Sequence, residues 1–131
     1  MNLQPTPKWR PLTLDETKLT SEEAKVFALL KFHVGGARAL KVEIAAHAAG
    51  VSQREIRDIL KHLTEKHGLA IASSVEPPYG VYLVETAEEL ERYCEQLKGR
   101  ALSALRRMAI LRKQHLGELL GQMKLEMSNR E

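Results

Sequence analysis

The sequence predicts a mainly α fold carrying one small β-hairpin and ending in a long helix. Three observations lead there. The pattern Ser/Thr-x-x-Glu occurs at Thr20/Glu23, Ser52/Glu55 and Thr86/Glu89, each time just ahead of an apolar run with helical spacing. Two short runs rich in Ile, Val, Tyr and Leu flank "VEPPYG", whose Pro-Pro and Gly mark a turn between strands. From Leu90 onward the apolar residues fall on one broad stripe of a helical wheel.

Residues 1–19 read as an extended arm: Pro5, Pro7 and Pro11 punctuate it, and Trp9 is its sizeable apolar anchor. The hydroxyl of Thr20 and the carboxylate of Glu23 suit free backbone amides at a helix start, so a helix is predicted over about 21–34. Its apolar positions are Val26, Phe27, Leu29, Leu30 and Phe32 or Val34, and Gly35-Gly36 stops it. From Leu40 a short helix follows, with small residues on most sides, closed by Gly50. Ser52 with Glu55 then opens a third helix, with inward face Ile56, Ile59, Leu60 and Leu63, running to about His67 with Gly68 as left-handed cap. "LAIASS" and "VYLVE" supply the hairpin strands, and Thr86 with Glu89 opens a helix from 87 to about 125, weakened at Gly99, Gly117 and Gly121 and prone to bend past Gly117. The predicted organisation is an arm (1–19), a central domain (20–85) and a long carboxy-terminal helix (86–127).

Composition excludes several classes of function. With 131 residues there is room for one compact domain, and no apolar run approaches the roughly 20 residues of a membrane span. The start "MNLQPTPKWRPL" lacks the basic and apolar regions of a secretory signal, and the single cysteine, Cys94, excludes an internal disulfide framework; a cytoplasmic protein is the expectation. Catalysis is not expected, since no phosphate loop, dinucleotide fingerprint or nucleophile-base arrangement is present. His33, His47, His62, His67 and His115 form no metal-ligand spacing, so neither metal nor cofactor is expected, and Cys94, on the apolar stripe, is expected to be a buried thiol.

The net charge of +3 is unevenly spread. Residues 69–95 hold one Arg against six Glu, whereas residues 96–115 hold Lys98, Arg100, Arg106, Arg107, Arg112 and Lys113 without an acid. Such blocks suit an anionic partner, or self-association between opposite patches.

The stretch "AAHAAGVSQREIRDIL" carries the most specific signal. A helix-turn-helix needs a small residue where its helices cross, a corner tolerant of positive φ and apolar anchors on either side; Ala46, Gly50, Val51 and Ile56 stand at those positions. With the apolar face inward, Ser52, Gln53, Arg54, Arg57, Asp58 and Lys61 point outward. Arg suits guanine, Gln suits adenine, and Ser or Lys suits phosphate. The competing reading is a solvated helix face on which Arg54 and Asp58, four residues apart, pair with each other.

From Leu19 to Val84 the chain resembles the winged helix-turn-helix family, and within it the amino-terminal DNA-binding domain of biotin operon repressors and related bacterial regulators. The residues that carry the resemblance are "IAAHAAGVSQREIRDILKHLTEKHG", "AIASS" and the returning strand "YGVYLVE". It covers about half the chain, and nothing beyond the motif resembles a biotin-ligating domain. The resemblance implies base-reading roles for Ser52, Gln53, Arg54 and Arg57. Where wings of that family carry Arg or Lys, "SVEPPYG" offers Glu76 and no base.

Two functions are therefore expected to compete. One is sequence-specific binding of double-stranded DNA through Ser52, Gln53, Arg54, Arg57 and Lys61, in a bacterial or phage transcriptional regulator or genome-maintenance factor. The other is a protein-interaction and assembly module built on the winged helix and the long helix. In both, the stripe Leu90, Leu97, Ala101, Leu105, Met108 and Leu111 is expected to join copies of the chain into a homodimer or higher homo-oligomer, since so long an apolar face needs cover.

Overall fold

Capping chemistry places the helices as expected, and backbone pairing adds connections the sequence did not announce. The computed structural model describes residues 6–129. In chain order these form α1 (Ser21–Leu30), α2 (Val42–Ala49), α3 (Gln53–His67), β1 (Ile71–Ser74), β2 (Gly80–Leu83), α4 (Ala87–Leu111) and α5 (Leu116–Asn129), with single turns of 3-10 helix at Glu16–Lys18 and Gly36–Arg38. The architecture is mainly helical with a small antiparallel two-stranded sheet. Two compact units divide it, residues 1–93 and 94–131.

In the first unit, α1 opens with a complete capping box: the Thr20 hydroxyl accepts from the Glu23 N–H at 3.1 Å, and the Glu23 carboxylate accepts from the Thr20 N–H at 2.9 Å. Glu23 is 4% exposed. Its second partner is His67 Nε2 at 3.2 Å, which ties the start of α1 to the end of α3. Burial pushes the Glu23 carboxyl up, but the Thr20 amide and His67 outweigh it, so its pKa lies below the usual 4.5.

Helix α1 ends at Leu30, four residues short of the expected boundary. Backbone pairing is the reason. Val34 forms a parallel bridge to Leu83, with the Gly35 N–H donating to the Leu83 carbonyl at 2.8 Å and the Leu83 N–H to the His33 carbonyl at 2.9 Å. Phe32, assigned by its spacing to the apolar face, is instead 78% exposed. Leu40 forms an antiparallel bridge to Val81 through two 2.8 Å hydrogen bonds. One edge of β2 therefore pairs with β1, from Ile71↔Leu83 to Ser74↔Gly80, and its other edge receives Val34 and Leu40.

The two faces of the hairpin alternate as strand geometry requires. Ile71, Val81 and Leu83 enter the main core with Val26, Phe27, Leu30, Leu40, Ile56 and Leu63. Ala72, Tyr82 and Val84 form a second apolar cluster on the opposite face, covered by Leu90 and Tyr93 from the first turns of α4. Glu89 fixes that first turn. Its carboxylate accepts from the N–H groups of Glu85 (2.9 Å) and Thr86 (3.3 Å) and, across the fold, of Gly36 (2.7 Å). Burial raises its pKa, but these three donors together outweigh that, for a net shift downward.

The described part of the arm is anchored and partly turned, in contrast to the extended arm expected. Trp9 is buried, edge-on to Phe27 at 5.5 Å between ring centroids, and its carbonyl accepts from the Ala70 N–H at 3.0 Å. Leu14 and Leu19 pack against the same core. Pro5, the first of the expected punctuators, lies outside the described residues.

In the second unit the long helix is interrupted. Instead of one run over 86–127, α4 stops at Leu111 and α5 begins at Leu116. Lys113 takes a left-handed φ of 51°, its N–H donates to the Ile110 carbonyl at 3.1 Å, and the Gln114 N–H reaches back to the Ala109 carbonyl at 2.9 Å. This pair of bonds is a Schellman motif, which ends a helix. Gly117 and Gly121, where weakening was expected, lie inside α5. Among the described residues of the unit Ala109 and Leu119 are the buried ones, and Gln114 donates through its side-chain amide to Gln122 at 2.9 Å across the break.

Candidate nucleic-acid interface

The corner between α2 and α3 is built from three residues. Gly50 takes φ 71°, its N–H bonds to the Ala46 and His47 carbonyls, and the Val51 N–H closes back on Ala46 at 3.0 Å. Ala46 and Ala49 are buried, and their small side chains let α3 approach α2 closely. Ser52 then caps α3: its hydroxyl accepts from the Glu55 N–H at 3.1 Å and donates to the Glu55 carboxylate at 3.2 Å. Because that carboxylate turns to the hydroxyl, the Ser52 backbone N–H is left out, and the expected box is half formed.

Ile56, Ile59, Leu60 and Leu63 are buried, and this fixes the rotation of α3 about its axis. At 100° per residue, Arg54, Asp58, Lys61 and Glu65 run down the middle of the opposite face, with Arg57 at one edge and Gln53 nearer the buried stripe. All six, and Ser52, are exposed. Arg54 and Asp58 do not pair: among the described residues the ion pairs are Arg10–Glu16, Lys31–Glu16 and His67–Glu23. Arg54, Arg57 and Lys61 thus reach solvent without an acidic partner. Ser52 differs from the others, since its hydroxyl is committed to the helix start in both directions.

The turn between β1 and β2 is uncharged except for Glu76. Val75 and Tyr79 are exposed at its sides, the Glu76 N–H donates to the Ser74 hydroxyl at 3.2 Å, and Pro77-Pro78 is cis. A cation that the sequence pattern does not single out is Lys41, exposed at the N-cap of α2. Its signal was present, a Lys one residue before a helical run, but Leu40 was read as the start of that helix rather than as a bridge partner of β2.

The six residues expected to join copies of the chain are not one uniform face. Leu90 is half-buried against the Tyr82 cluster. Leu105 and Met108 are half-buried in the second unit, where Leu105 lines a hollow of about 410 Å³ with Leu120, Met123 and Met127. Leu97, Ala101 and Leu111 are exposed. Cys94 is exposed as well, contrary to the buried thiol expected, because it follows the turns of α4 that cover the hairpin.

Among the described residues no group of three His, Cys, Asp or Glu side chains is placed to hold a metal ion, and no helix is long and apolar enough to cross a membrane. Comparison of the chain with protein-family models, with curated proteins and with solved structures finds no match.

Proposed function

We propose that the chain binds double-stranded DNA sequence-specifically, with α3 as the recognition helix of a winged helix-turn-helix. In this reading it is a bacterial or phage transcriptional regulator or genome-maintenance factor and performs no chemistry. The observation that carries the reading is the outer face of α3, where Gln53, Arg54, Arg57 and Lys61 stand exposed and unpaired on a helix whose rotation is fixed by four buried apolar side chains. An α-helix fits the major groove, and its first turns meet base edges. There Arg54 and Arg57 suit guanine O6 and N7, Gln53 suits adenine N6 and N7, and Lys61, two turns on, suits a phosphate. Ser52 acts mainly by orienting the helix start, and Lys41 is added as a phosphate contact from α2. The hairpin's role is to complete the core, as its acidic tip has no cation for a phosphate.

Fluorescence anisotropy on a pool of mixed duplexes at low salt tests the reading. Binding is expected, with Arg54→Ala plus Arg57→Ala removing about 1 to 3 kcal/mol per lost base contact and flattening sequence preference. Absence of binding, or binding indifferent to both substitutions, rejects it.

A second reading, an assembly module, is favoured by the exposed apolar side chains of Val75 and Tyr79 at the hairpin turn and of Ile110, Leu111, Leu125 and Met127 in the second unit. Light scattering after size exclusion separates the two. A strict monomer at micromolar concentration rejects the assembly reading and the homo-oligomer with it.

A further inference from the structure

A second charged surface is carried by the second unit. Lys98, Arg100, Arg106, Arg107, Arg112 and Lys113 are exposed, no acid falls between residues 96 and 115, and none of the six is in an ion pair among the described residues. Leu105, Met108 and Ala109 mark the side of α4 that turns inward. At 100° per residue Gly99, Arg100, Ser103, Arg106, Arg107 and Ile110 share the opposite side. A Cβ placed on Gly99 meets nothing within 4 Å, and Ser103 is small, so the helix backbone between the arginines is open to close approach.

The chemistry of that side selects its partner. Protein interfaces bury an apolar centre depleted of charge, whereas here the exposed Ile110 on this face and Leu111 at its edge are set among Arg100, Arg106 and Arg107. Helices that lie on membranes need a broad free apolar face opposite the charges, whereas on α4 the residues opposite the arginines are turned inward. Platforms for single-stranded nucleic acid stack bases on aromatic rings, and residues 96–131 contain no Phe, Tyr or Trp. A set of arginines with no acid and no aromatic ring among them suits the phosphates of a duplex. Arg100 and Arg107 are about 10 Å apart along the helix axis, the axial span of about three phosphates on one strand.

We propose that this side of α4 binds the sugar-phosphate backbone of duplex nucleic acid without regard to sequence. The surface shares no residue with α3, and its binding does not depend on that helix reading bases.

The test measures binding of the full chain to a 30-base-pair mixed-sequence duplex as a function of salt, for the unaltered protein and for Arg100→Gln plus Arg107→Gln. Glutamine preserves helix propensity, and circular dichroism checks that helix content is retained. Each phosphate contact contributes about 0.9 to the slope of log K against log salt. The double variant is therefore expected to lower that slope by about 2 and to weaken low-salt affinity about tenfold or more, equally for every duplex sequence. Should the double variant lose helix content, Arg106→Gln alone is expected to lower the slope by about 1. An unchanged slope in a folded variant overturns the proposal. So does a poly-glutamate peptide of matched charge that binds as tightly with the same dependence on arginine. Arg54→Ala plus Arg57→Ala, measured alongside, is expected to change sequence preference only, so failure of the α3 reading and failure of this one are told apart.

Discussion

The Glu89 carboxylate accepts a 2.7 Å hydrogen bond from the backbone N–H of Gly36, 53 residues away in the chain. The same side chain closes its own helix start through Glu85 and Thr86, so one carboxylate holds the first turn of α4 and the loop that leads from α1 to α2. Glu89→Gln keeps the shape and removes the charge that strengthens three hydrogen bonds. A loss of about 1.5 to 3 kcal/mol is expected, on the scale of charged hydrogen bonds, as a lowered urea midpoint at pH 7 with an unchanged slope.

Glu23 and Glu89 also set the acid limit of stability. Both carboxyls have pKa values in the folded protein below the usual 4.5. A depressed folded-state pKa means that the unfolded chain takes up protons first as pH falls. Their contribution is therefore complete above the unfolded value, near pH 4.5, and disappears as pH drops through the lower folded values. Thermal melts from pH 7 to pH 3 are expected to hold nearly level to about pH 5 and then fall, and Glu89→Gln is expected to make that fall shallower.

Gly80 is fixed by lack of space. A Cβ there sits within 2.2 Å of the Leu40 carbonyl oxygen and 2.8 Å of the Lys41 nitrogen, both backbone atoms, and φ is 141°. Gly80→Ala must therefore push Leu40 away from β2 and disturb its paired hydrogen bonds with Val81. A destabilisation of about 3 kcal/mol is expected from a clash and two weakened backbone bonds together, seen as a clear drop in thermal midpoint.

Lys113 offers the opposite sign. A non-glycine residue at φ 51° costs about 1 kcal/mol relative to glycine. Lys113→Gly is expected to raise stability by up to about that amount, and Lys113→Val, β-branched and harder to hold in this conformation, to lower it. Calorimetry on the pair decides whether the break between α4 and α5 is closed by this residue.

What could be read from the sequence follows from which interactions are local. Thr20/Glu23 and Thr86/Glu89 are complete within four residues, and both boxes are present. Gly50 and Gly68 end α2 and α3 with the same reach-back bonds that Gln114 makes to Ala109, yet only the first two were legible, because a glycine flags a left-handed site and a lysine does not. Val34 and Leu40 were read into helices because their pairing with β2 spans more than 40 residues, a distance that periodicity does not see. Trp9 was recognised as an anchor, but its partner Phe27 was not. On α3 the exposure of Ser52, Gln53, Arg54, Arg57, Asp58 and Lys61 was legible, since four buried residues fix the rotation of the helix, but the exposed Glu65 on the same face was not singled out. The commitment of the Ser52 hydroxyl to Glu55 was not, because the sequence does not tell which donor a carboxylate will choose.

The corner at Gly50 has a different constraint from Gly80. A Cβ built there meets nothing within 4 Å, so only the sign of the torsion at φ 71° reserves the position for glycine. What the corner asks for is handedness. A D-alanine introduced at Gly50 by chemical ligation has its natural torsion on that side, and it narrows the unfolded ensemble that glycine leaves wide. It is expected to stabilise the protein by about 0.4 to 1 kcal/mol, where L-alanine at the same position destabilises it. The turn that aims α3 is thus specified by chirality alone, and a mirror-image residue fits it better than any the genetic code supplies.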